Sequence, residues 1–495
     1  MTQSLQAVLP PSAQTLTEGP KVSKPSRWIW VPWIWFFFAS TRSLSTWMSG
    51  TDRRDLAAMN GSGSPVDRVL MTALMLLGAF VLSRRWERAM RLFERNKWMV
   101  ALFVFMTLSI VWSNFPGISF RRLNRSIGAF EMALIVLTES YPLEAVRILL
   151  SRLYIVHIPL SVLAVKYFRN IGVAYNWNGA EEQWIGLATD KNSLGQVATC
   201  AGVFFVWQIL QDWPARKLKR NRSNLALYIV LLAGDLWLLR GSPTIHSSTA
   251  IIGFILCAGA LFALQLIKKR HKHAKRIIVG VVLTSAIAVP ITYLVCQIID
   301  FSPFQAAVGA TGRDMTSTDR TLIWTDMLND TKASALFGVG VGAFWVGPIG
   351  YDKYPMPNWS ARTPAWRPEE GHNGYIDVYA ELGVSGLLLI LLVIVAGLAG
   401  AISEIQNNFL YGSLRLTLLF SIIINNITET SFLRGEHGLW FLFLLMAINV
   451  PSAMTRPLTA MDEAKRHYSL DPLKEKFKRS PGPTSPASSA VAINR

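Results

Sequence analysis

Long apolar runs recur along most of this chain, and they restrict its fold more than any other feature of the sequence. Residues 277–299 and 374–402 are two of them, each at or beyond the ~20 apolar residues that a transmembrane helix needs. Only 16% of the 495 residues are charged and 51% are hydrophobic, with a mean hydropathy of +0.31. Soluble domains do not have this composition, so the sequence predicts an all-α, polytopic integral membrane protein.

The apolar runs divide the chain into about twelve transmembrane helices. The predicted spans are residues 28–46, 66–83, 98–112, 126–140, 147–166, 192–210, 225–240, 249–267, 277–299, 374–402, 414–430 and 437–453. The run from Trp28 lacks a convincing small-residue cleavage site, so we interpret it as a retained first helix and not as a signal peptide.

Basic residues between the spans predict the orientation of the chain. The basic segments at residues 84–97, 216–222 and 268–276 fall on one side of the membrane if there are twelve spans. The positive-inside tendency makes that side the cytoplasm and places both termini there, which accounts for the net charge of +18 without a nucleic-acid partner. The predicted parts are a cytoplasmic tail (1–27), spans one to nine (28–299), a large extracytoplasmic loop (300–373), spans ten to twelve (374–453) and a disordered cytoplasmic tail (454–495).

The predicted extracytoplasmic loop holds the residues best suited to chemistry. Arg313 and Arg320 lie in it beside Asp314 and Asp319, and His372 stands where the loop meets span ten. A guanidinium matches the oxygens of a diphosphate, and a neutral imidazole with a reference pKa of about 6.5 can accept a proton near pH 7. The same residues also permit a structural interpretation, with Arg–Asp pairs that fold the loop and a histidine that only begins a helix.

Two further features have competing interpretations. Arg121, Arg122 and Arg125 follow span three on the outward side, either as interfacial anchors or as residues that attract an anionic group. The segment GVGVG at residues 338–342 lacks a βαβ context, so it predicts backbone turns and close packing rather than a dinucleotide site. The three cysteines all lie in apolar runs and predict neither a disulfide framework nor a metal site.

The order of several motifs resembles the O-antigen ligase and polymerase superfamily, and most of all its exopolysaccharide polymerase branch. The main motifs are DRTLIW at residues 319–324, LFGVGVGAF at 336–344, HNGYID at 372–377 and ELGVSG at 381–386. WSNFPGIS at 112–119, DKNSLG at 190–195 and NITET at 426–430 also match. The resemblance covers most of the chain from about Trp28 to Val450.

The resemblance implies a GT-C-type membrane glycosyltransferase at the outer face of the bacterial inner membrane. It implies that His372 is the general base on the acceptor hydroxyl and that Arg320 holds the diphosphate leaving group. No metal or other cofactor is expected, because a glycosyl diphosphate already carries a good leaving group. The further substrate-binding residues under this resemblance are Arg313, Arg121, Arg122, Arg125, Lys191 and Asn373.

One position departs from the pattern of the superfamily. Many relatives have a basic residue at the start of span eight, where this chain has Ser248. Arg240 and His246 are the candidates to replace it. The second phosphate-binding position is therefore not assigned by the sequence.

We predict that the protein polymerises oligosaccharide repeat units linked to undecaprenyl diphosphate into exopolysaccharide or O-antigen. Its expected partners are the lipid-linked donor, an acceptor glycan or glycolipid, membrane lipids and a chain-length regulator, with no nucleic acid. One alternative is a ligase that transfers O-antigen to the lipid A core. Another is a transporter of lipid-linked glycans, which predicts charged residues along a path across the membrane, whereas Glu131 and His157 are isolated within their spans.

Overall fold

The computed structural model describes residues 25–49, 64–175, 181–215, 219–243, 247–268, 320–350, 352–354 and 368–451, together with residues 273 and 276. Nearly all regular structure in these ranges is helical, so the predicted all-α membrane fold is confirmed. The described part of the chain has one two-stranded hairpin, in which β1 (Val173–Tyr175) pairs antiparallel with β2 (Glu182–Trp184).

The helices follow the apolar runs of the sequence. They are α1 (Trp30–Ser40), α2 (Leu44–Ser49), α3 (Pro65–Ser83), α4 (Trp86–Arg95), α5 (Lys97–Leu108), α6 (Pro116–Leu137), α7 (Pro142–Tyr167), α8 (Arg169–Gly172), α9 (Lys191–Asp212), α10 (Lys219–Arg240), α11 (Ser248–Ile267), α12 (Arg320–Asp330), α13 (Gly374–Asn407), α14 (Phe409–Thr428) and α15 (Gly438–Ala447). Short 3₁₀ turns occupy Arg27–Ile29, Trp213–Ala215, Lys332–Ser334 and Gly347–Gly350.

Seven helices in the described ranges are long and apolar enough to cross a membrane. Every predicted span within these ranges overlaps a helix, and the predicted span at 277–299 lies outside them. Helix α9 is the most deeply buried of the seven and packs against α10, α11 and α14. Most of the apolar surface of α11 faces outward, as expected of a helix that contacts lipid.

The boundaries of several helices differ from the prediction, including those of α6, α1 and α15. Helix α6 begins at Pro116 rather than at residue 126, because proline suits the first helical position and the arginine-containing turns that follow continue the helix. The predicted first span is interrupted at Thr41 between α1 and α2. Helix α15 ends at Ala447, before the predicted residue 453. The arginines after residue 120 therefore lie on a helix and not in a loop.

Helix α13 is broken at Gly383, where a second segment packs against it. Gly383 has φ 66° and ψ −167°, which interrupts the helical hydrogen bonds. Residues 336–344, which we call the glycine segment, lie against this break. The amide of Gly340 donates to the Glu381 carbonyl (2.9 Å), and the amide of Val384 donates to the Ala335 carbonyl (2.8 Å). These bonds satisfy backbone groups of α13 that would otherwise be unpaired in an apolar environment.

The glycine segment needs its glycines for conformation and for space. Gly338, Gly340 and Gly342 all have positive φ angles, a conformation that L-residues with side chains rarely adopt. A Cβ at Gly338 would lie 2.3 Å from the Glu381 carbonyl group. The interpretation of GVGVG as a turning, closely packed backbone agrees with this geometry. The segment thereby brings the residues that follow it against the start of α13.

Candidate functional site

Four polar side chains meet where α12 begins, α13 begins and α14 ends. His372 Nδ1 lies 3.0 Å from Glu429 Oε2 and 3.1 Å from Glu370 Oε1. The Arg320 guanidinium donates to Glu429 Oε1 at 2.9 Å and to the Thr428 carbonyl at 2.6 Å. We call Arg320, Glu370, His372 and Glu429 the His372 cluster. A single carboxylate, that of Glu429, thus contacts both the histidine and the arginine.

The backbone around His372 is held on both sides. His372 has φ 48°, a left-handed conformation that costs of order 1–3 kcal/mol for a residue other than glycine. The Asn373 side-chain oxygen accepts from the amides of Tyr375 and Ile376 and so caps α13. The Gly374 amide donates to the Glu429 carbonyl at 3.2 Å. These contacts fix the imidazole at the helix start, next to the end of α14.

Two carboxylates determine the protonation state of His372. Burial disfavours the imidazolium, but the hydrogen bonds and charges of Glu370 and Glu429 outweigh it and raise the pKa of His372 to about 10. The imidazole is therefore charged at neutral pH in this arrangement, unlike the neutral ring near pH 7 that the reference pKa suggested. Two carboxylates then balance two cations, so the cluster is close to neutral.

The contacts of the cluster leave hydrogen-bonding capacity for a ligand. A guanidinium has five N–H groups, and the two bonds described for Arg320 use one each from its terminal nitrogens. The contacts described for His372 are all made by Nδ1. With Nδ1–H donated to a carboxylate, Nε2 is the ring nitrogen available for proton exchange. His372 and Arg320 are about one quarter exposed, which allows access from outside the bundle.

A second group of charged side chains lies along the first turns of α13, beyond the His372 cluster. Arg434 is buried and lies 3.3 Å from Glu381 Oε1 and 3.6 Å from Asp377 Oδ2. Glu381 Oε2 accepts from the Gly342 amide at 2.8 Å, and the Gly342 carbonyl accepts from Arg122 at 2.8 Å. We call Arg122, Asp377, Glu381 and Arg434 the Arg434 cluster. It connects the first turns of α13 to the glycine segment and to α6.

Comparisons with known proteins agree with the order of motifs in the sequence. Residues 233–391 match the family model described as O-Antigen ligase. A protein of Rhizobium meliloti (strain 1021) named exopolysaccharide production protein ExoQ is 23% identical over 312 residues. That match covers 62% of this chain and 66% of the relative, slightly under two thirds of its length.

These matches support the resemblance of the chain to the O-antigen ligase and polymerase superfamily.

The site residues predicted from the superfamily resemblance lie in different parts of the structure. His372 and Arg320 are brought together through Glu429. Arg122 belongs to the Arg434 cluster, whereas Arg121 is exposed and Arg125 acts electrostatically on Glu436. Arg313 lies outside the described residues.

Asn373 and Lys191 both stand at helix starts. The Asn373 side-chain oxygen is used by the cap of α13, so a substrate could meet only its amide nitrogen. Lys191 is the first residue of α9 and lines a small cleft with Trp184 and Ser247. Its neighbour Asp190 caps α9 by accepting from the Asn192 and Ser193 amides, and its charge acts on Glu370. The DKNSLG motif therefore places a helix start near the His372 cluster.

Two residues named for the second phosphate position, Arg240 and Ser248, flank the connection between α10 and α11. Ser248 begins α11, and Arg240 is exposed at the end of α10. His246 lies outside the described residues.

Sequence reasoning missed five acidic or basic residues that the fold brings to this region. Glu429, Asp377 and Glu381 stand in motifs that supported the resemblance, but no role was given to them. Glu370 and Arg434 lie in none of these motifs. The available signal was their position, since charged residues at the ends of apolar spans or within them are costly and usually serve a purpose.

The His372 cluster also has a spacing that a divalent cation could use. Glu370, His372 and Glu429 each offer one ligand atom, and these atoms lie within 4.8 Å of one another. A cation would compete with the proton on Nδ1 and with the Arg320 guanidinium on Glu429. Because two cationic side chains already balance the two carboxylates, the charges favour a protonated histidine over a metal ion.

Proposed function

We propose that this protein is a membrane glycosyltransferase that polymerises lipid-linked oligosaccharide repeat units into exopolysaccharide or O-antigen. The observation that carries the proposal is the shared carboxylate of Glu429, which holds a histidine and an arginine side by side. Glycosyl transfer from a diphosphate needs a group that takes a proton and a group that stabilises the departing charge. His372 and Arg320 supply these two functions at one place.

The proposed reaction is a direct displacement at the anomeric carbon. Glu429 accepts the Nδ1 proton of His372 in a hydrogen bond, which directs the basic lone pair of Nε2 to the acceptor hydroxyl. The hydroxyl oxygen forms the new bond to the anomeric carbon while its proton passes to Nε2. The bond between that carbon and the diphosphate oxygen breaks, and the electron pair leaves with the diphosphate. The configuration is inverted, and no redox step or cofactor is needed.

Arg320 stabilises the leaving diphosphate in this scheme. Its contacts with Glu429 and the Thr428 carbonyl fix the plane of the guanidinium before substrate binds. Preorganised donors of this kind stabilise developing charge without reorganisation during the reaction. The donor class, an undecaprenyl diphosphate, and the GT-C-type architecture rest on the superfamily resemblance.

The raised pKa of His372 has a consequence for this mechanism. Only the neutral imidazole can take the acceptor proton, and below its pKa the neutral fraction increases about tenfold per pH unit. With a pKa of about 10, wild-type kcat/KM should increase with pH throughout the range from 7 to 10. This pH dependence distinguishes a base from an imidazolium that acts only by its charge.

The cellular setting is part of the proposal. The protein resides in the bacterial inner membrane with both termini in the cytoplasm, and residues 300–373 form its periplasmic loop. Seven long apolar helices among the described residues support a multi-pass membrane protein. The acceptor is a second lipid-linked glycan, and a chain-length regulator is a further partner because polymer length requires control.

The experiment uses purified full-length protein and lipid-linked oligosaccharide extracted from a host strain that lacks the gene. Incubation should lengthen the lipid-linked chains by whole repeat units without added nucleotide and in the presence of EDTA. His372→Ala should abolish this growth while the protein remains folded by size-exclusion chromatography. Normal chain growth by the folded His372→Ala variant would refute the proposed base.

A ligase is the second candidate because the matching family model is described as O-Antigen ligase. The same incubation separates the two reactions. A ligase would give no product until lipid A core is added and would then transfer one glycan to each core. Movement of intact donor across liposome membranes without a new glycosidic bond would instead identify a transporter.

A further inference from the structure

Asp377 receives donors from three separate segments around the His372 cluster. It lies in the first turn of α13 and is buried. Its Oδ1 accepts from Trp345 Nε1 at 2.7 Å and from the Gly371 amide at 3.2 Å. Its Oδ2 accepts from the Thr430 hydroxyl and faces Arg434 at 3.6 Å. The two carboxylate oxygens therefore have most of their acceptor capacity in use.

Two of these donors stand next to the proposed catalytic pair. Gly371 directly precedes His372, and Thr430 directly follows Glu429. Both are held by the same carboxylate, although 53 residues separate Thr430 from Asp377 in the chain. The Gly374 amide adds a bond from the other side of His372 to the Glu429 carbonyl. A second carboxylate, which has no described contact with either side chain, thus bonds to a chain neighbour of His372 and to a chain neighbour of Glu429.

We propose that Asp377 is a positioning residue that fixes the separation of His372 and Glu429, with Arg434 as its buried counter-charge. This inference rests on the proposed function of His372. The left-handed backbone of His372 is strained and relaxes unless its neighbours are held. Asp377 supplies that restraint on one side of His372 and on one side of Glu429. Arg434 compensates a carboxylate that would otherwise be buried without a cation.

Two of the three hydrogen-bond donors of Asp377 provide a matched pair of variants. Thr430→Val removes the hydroxyl beside Glu429 and keeps the shape of the side chain. Trp345→Phe removes a hydrogen bond to the same carboxylate from a residue of the segment after Gly342, which does not adjoin the catalytic pair. Both positions are buried, so both variants lose stability. Only Thr430→Val should loosen Glu429.

The expected results separate positioning from stability. For Thr430→Val, kcat should decrease on the order of tenfold with little change in KM, because donor binding is kept while the base is misplaced. Trp345→Phe should remain within about threefold of the wild-type kcat, and Thr430→Ser, which retains the hydroxyl, should restore most of the activity. Asp377→Ala should decrease kcat by about 100-fold, as expected for a displacement near 1 Å.

The assay measures chain growth against the concentration of lipid-linked oligosaccharide extracted from the host that lacks the gene, with melting curves for each variant. Equal losses of kcat in Thr430→Val and Trp345→Phe would overturn the positioning role, as would a Thr430→Ser variant no better than Thr430→Val. His372→Ala is measured alongside. If it alone is inactive and the other variants do not differ, the positioning inference fails and the proposed function stands. If it is fully active, the proposed function fails.

Discussion

The substitution Glu429→Gln is the most direct test of the His372 cluster. Glutamine keeps the length of the side chain and one oxygen, but it removes the negative charge that contacts His372 at 3.0 Å and Arg320 at 2.9 Å. Glu429 is only 6% exposed, so water does not screen this charge effectively. The variant should therefore change the protonation of His372 more than its position.

The magnitude follows from the two carboxylates that face Nδ1. One opposite charge within about 4–6 Å moves a pKa by about 1–3 units. In the wild type, Glu370 and Glu429 together raise the pKa of His372 to about 10 against the effect of burial. Without the charge of Glu429, that pKa should decrease, while Glu370 at 3.1 Å keeps part of the effect. The neutral base then becomes populated at lower pH.

The measurement is kcat/KM for chain growth between pH 6 and pH 10, since kcat/KM reports the ionisation of the free enzyme. The rising limb of the kcat/KM profile should lie at lower pH in Glu429→Gln than in the wild type, by about one to three pH units. Groups that also act near His372 are Glu370, Arg320 and, through Glu370, Asp190 and His437.

The matched control is Glu436→Gln. Glu436 lies in the same segment as Glu429, but its charge interacts mainly with Arg125, His437 and Arg434. Replacing Glu436 by Gln should leave the rising limb of the kcat/KM profile at the wild-type pH. A wild-type profile that is flat from pH 7 to 10, or a limb that moves to higher pH in Glu429→Gln, would refute the assignment of neutral His372 as the base.

Three other predictions concern charge, stability and packing. Replacing Arg320 by Lys should lower kcat/KM by about 10–100-fold despite the retained charge, because an ammonium cannot reproduce the planar contacts of the guanidinium. Near-normal kinetics would contradict the proposal that Arg320 stabilises the leaving diphosphate. His372 is charged more readily in the folded state than in the unfolded state. The stability that it contributes is therefore fully present below pH 6.5 and is lost as the pH increases toward about 10. The melting temperature should decrease over that pH range, and it should decrease less in His372→Gln. Gly383→Ala should prevent accumulation of folded protein, because Gly383 has φ 66° and the added Cβ would lie 2.4 Å from the Leu336 carbonyl carbon. Gly259→Ala should be tolerated, because its Cβ would have no atom within 4 Å. Equal yields of the two variants would argue against the packed break in α13.

The positions of the helices could be read from the sequence because the membrane imposes a simple rule. A backbone in lipid must satisfy its own hydrogen bonds, so an apolar run of sufficient length becomes a helix whatever its neighbours are. Every predicted span within the described residues overlaps a helix for this reason. The errors are at boundaries such as the start of α6, where a helix continues beyond the apolar run into a segment that contains arginines.

The sequence by itself also singled out His372 and Arg320, because the order of motifs that contain them resembles a known superfamily. It did not indicate that Glu429 would contact them, because Glu429 follows His372 by 57 residues and Arg320 by 109. A charged residue at the end of an apolar run has no periodicity that reveals its partner, and only the packing of α12, α13 and α14 brings these three together. The tertiary structure alone decided that His372 lies between two carboxylates, which raise its pKa, and that one carboxylate, Asp377, holds both neighbours of the pair.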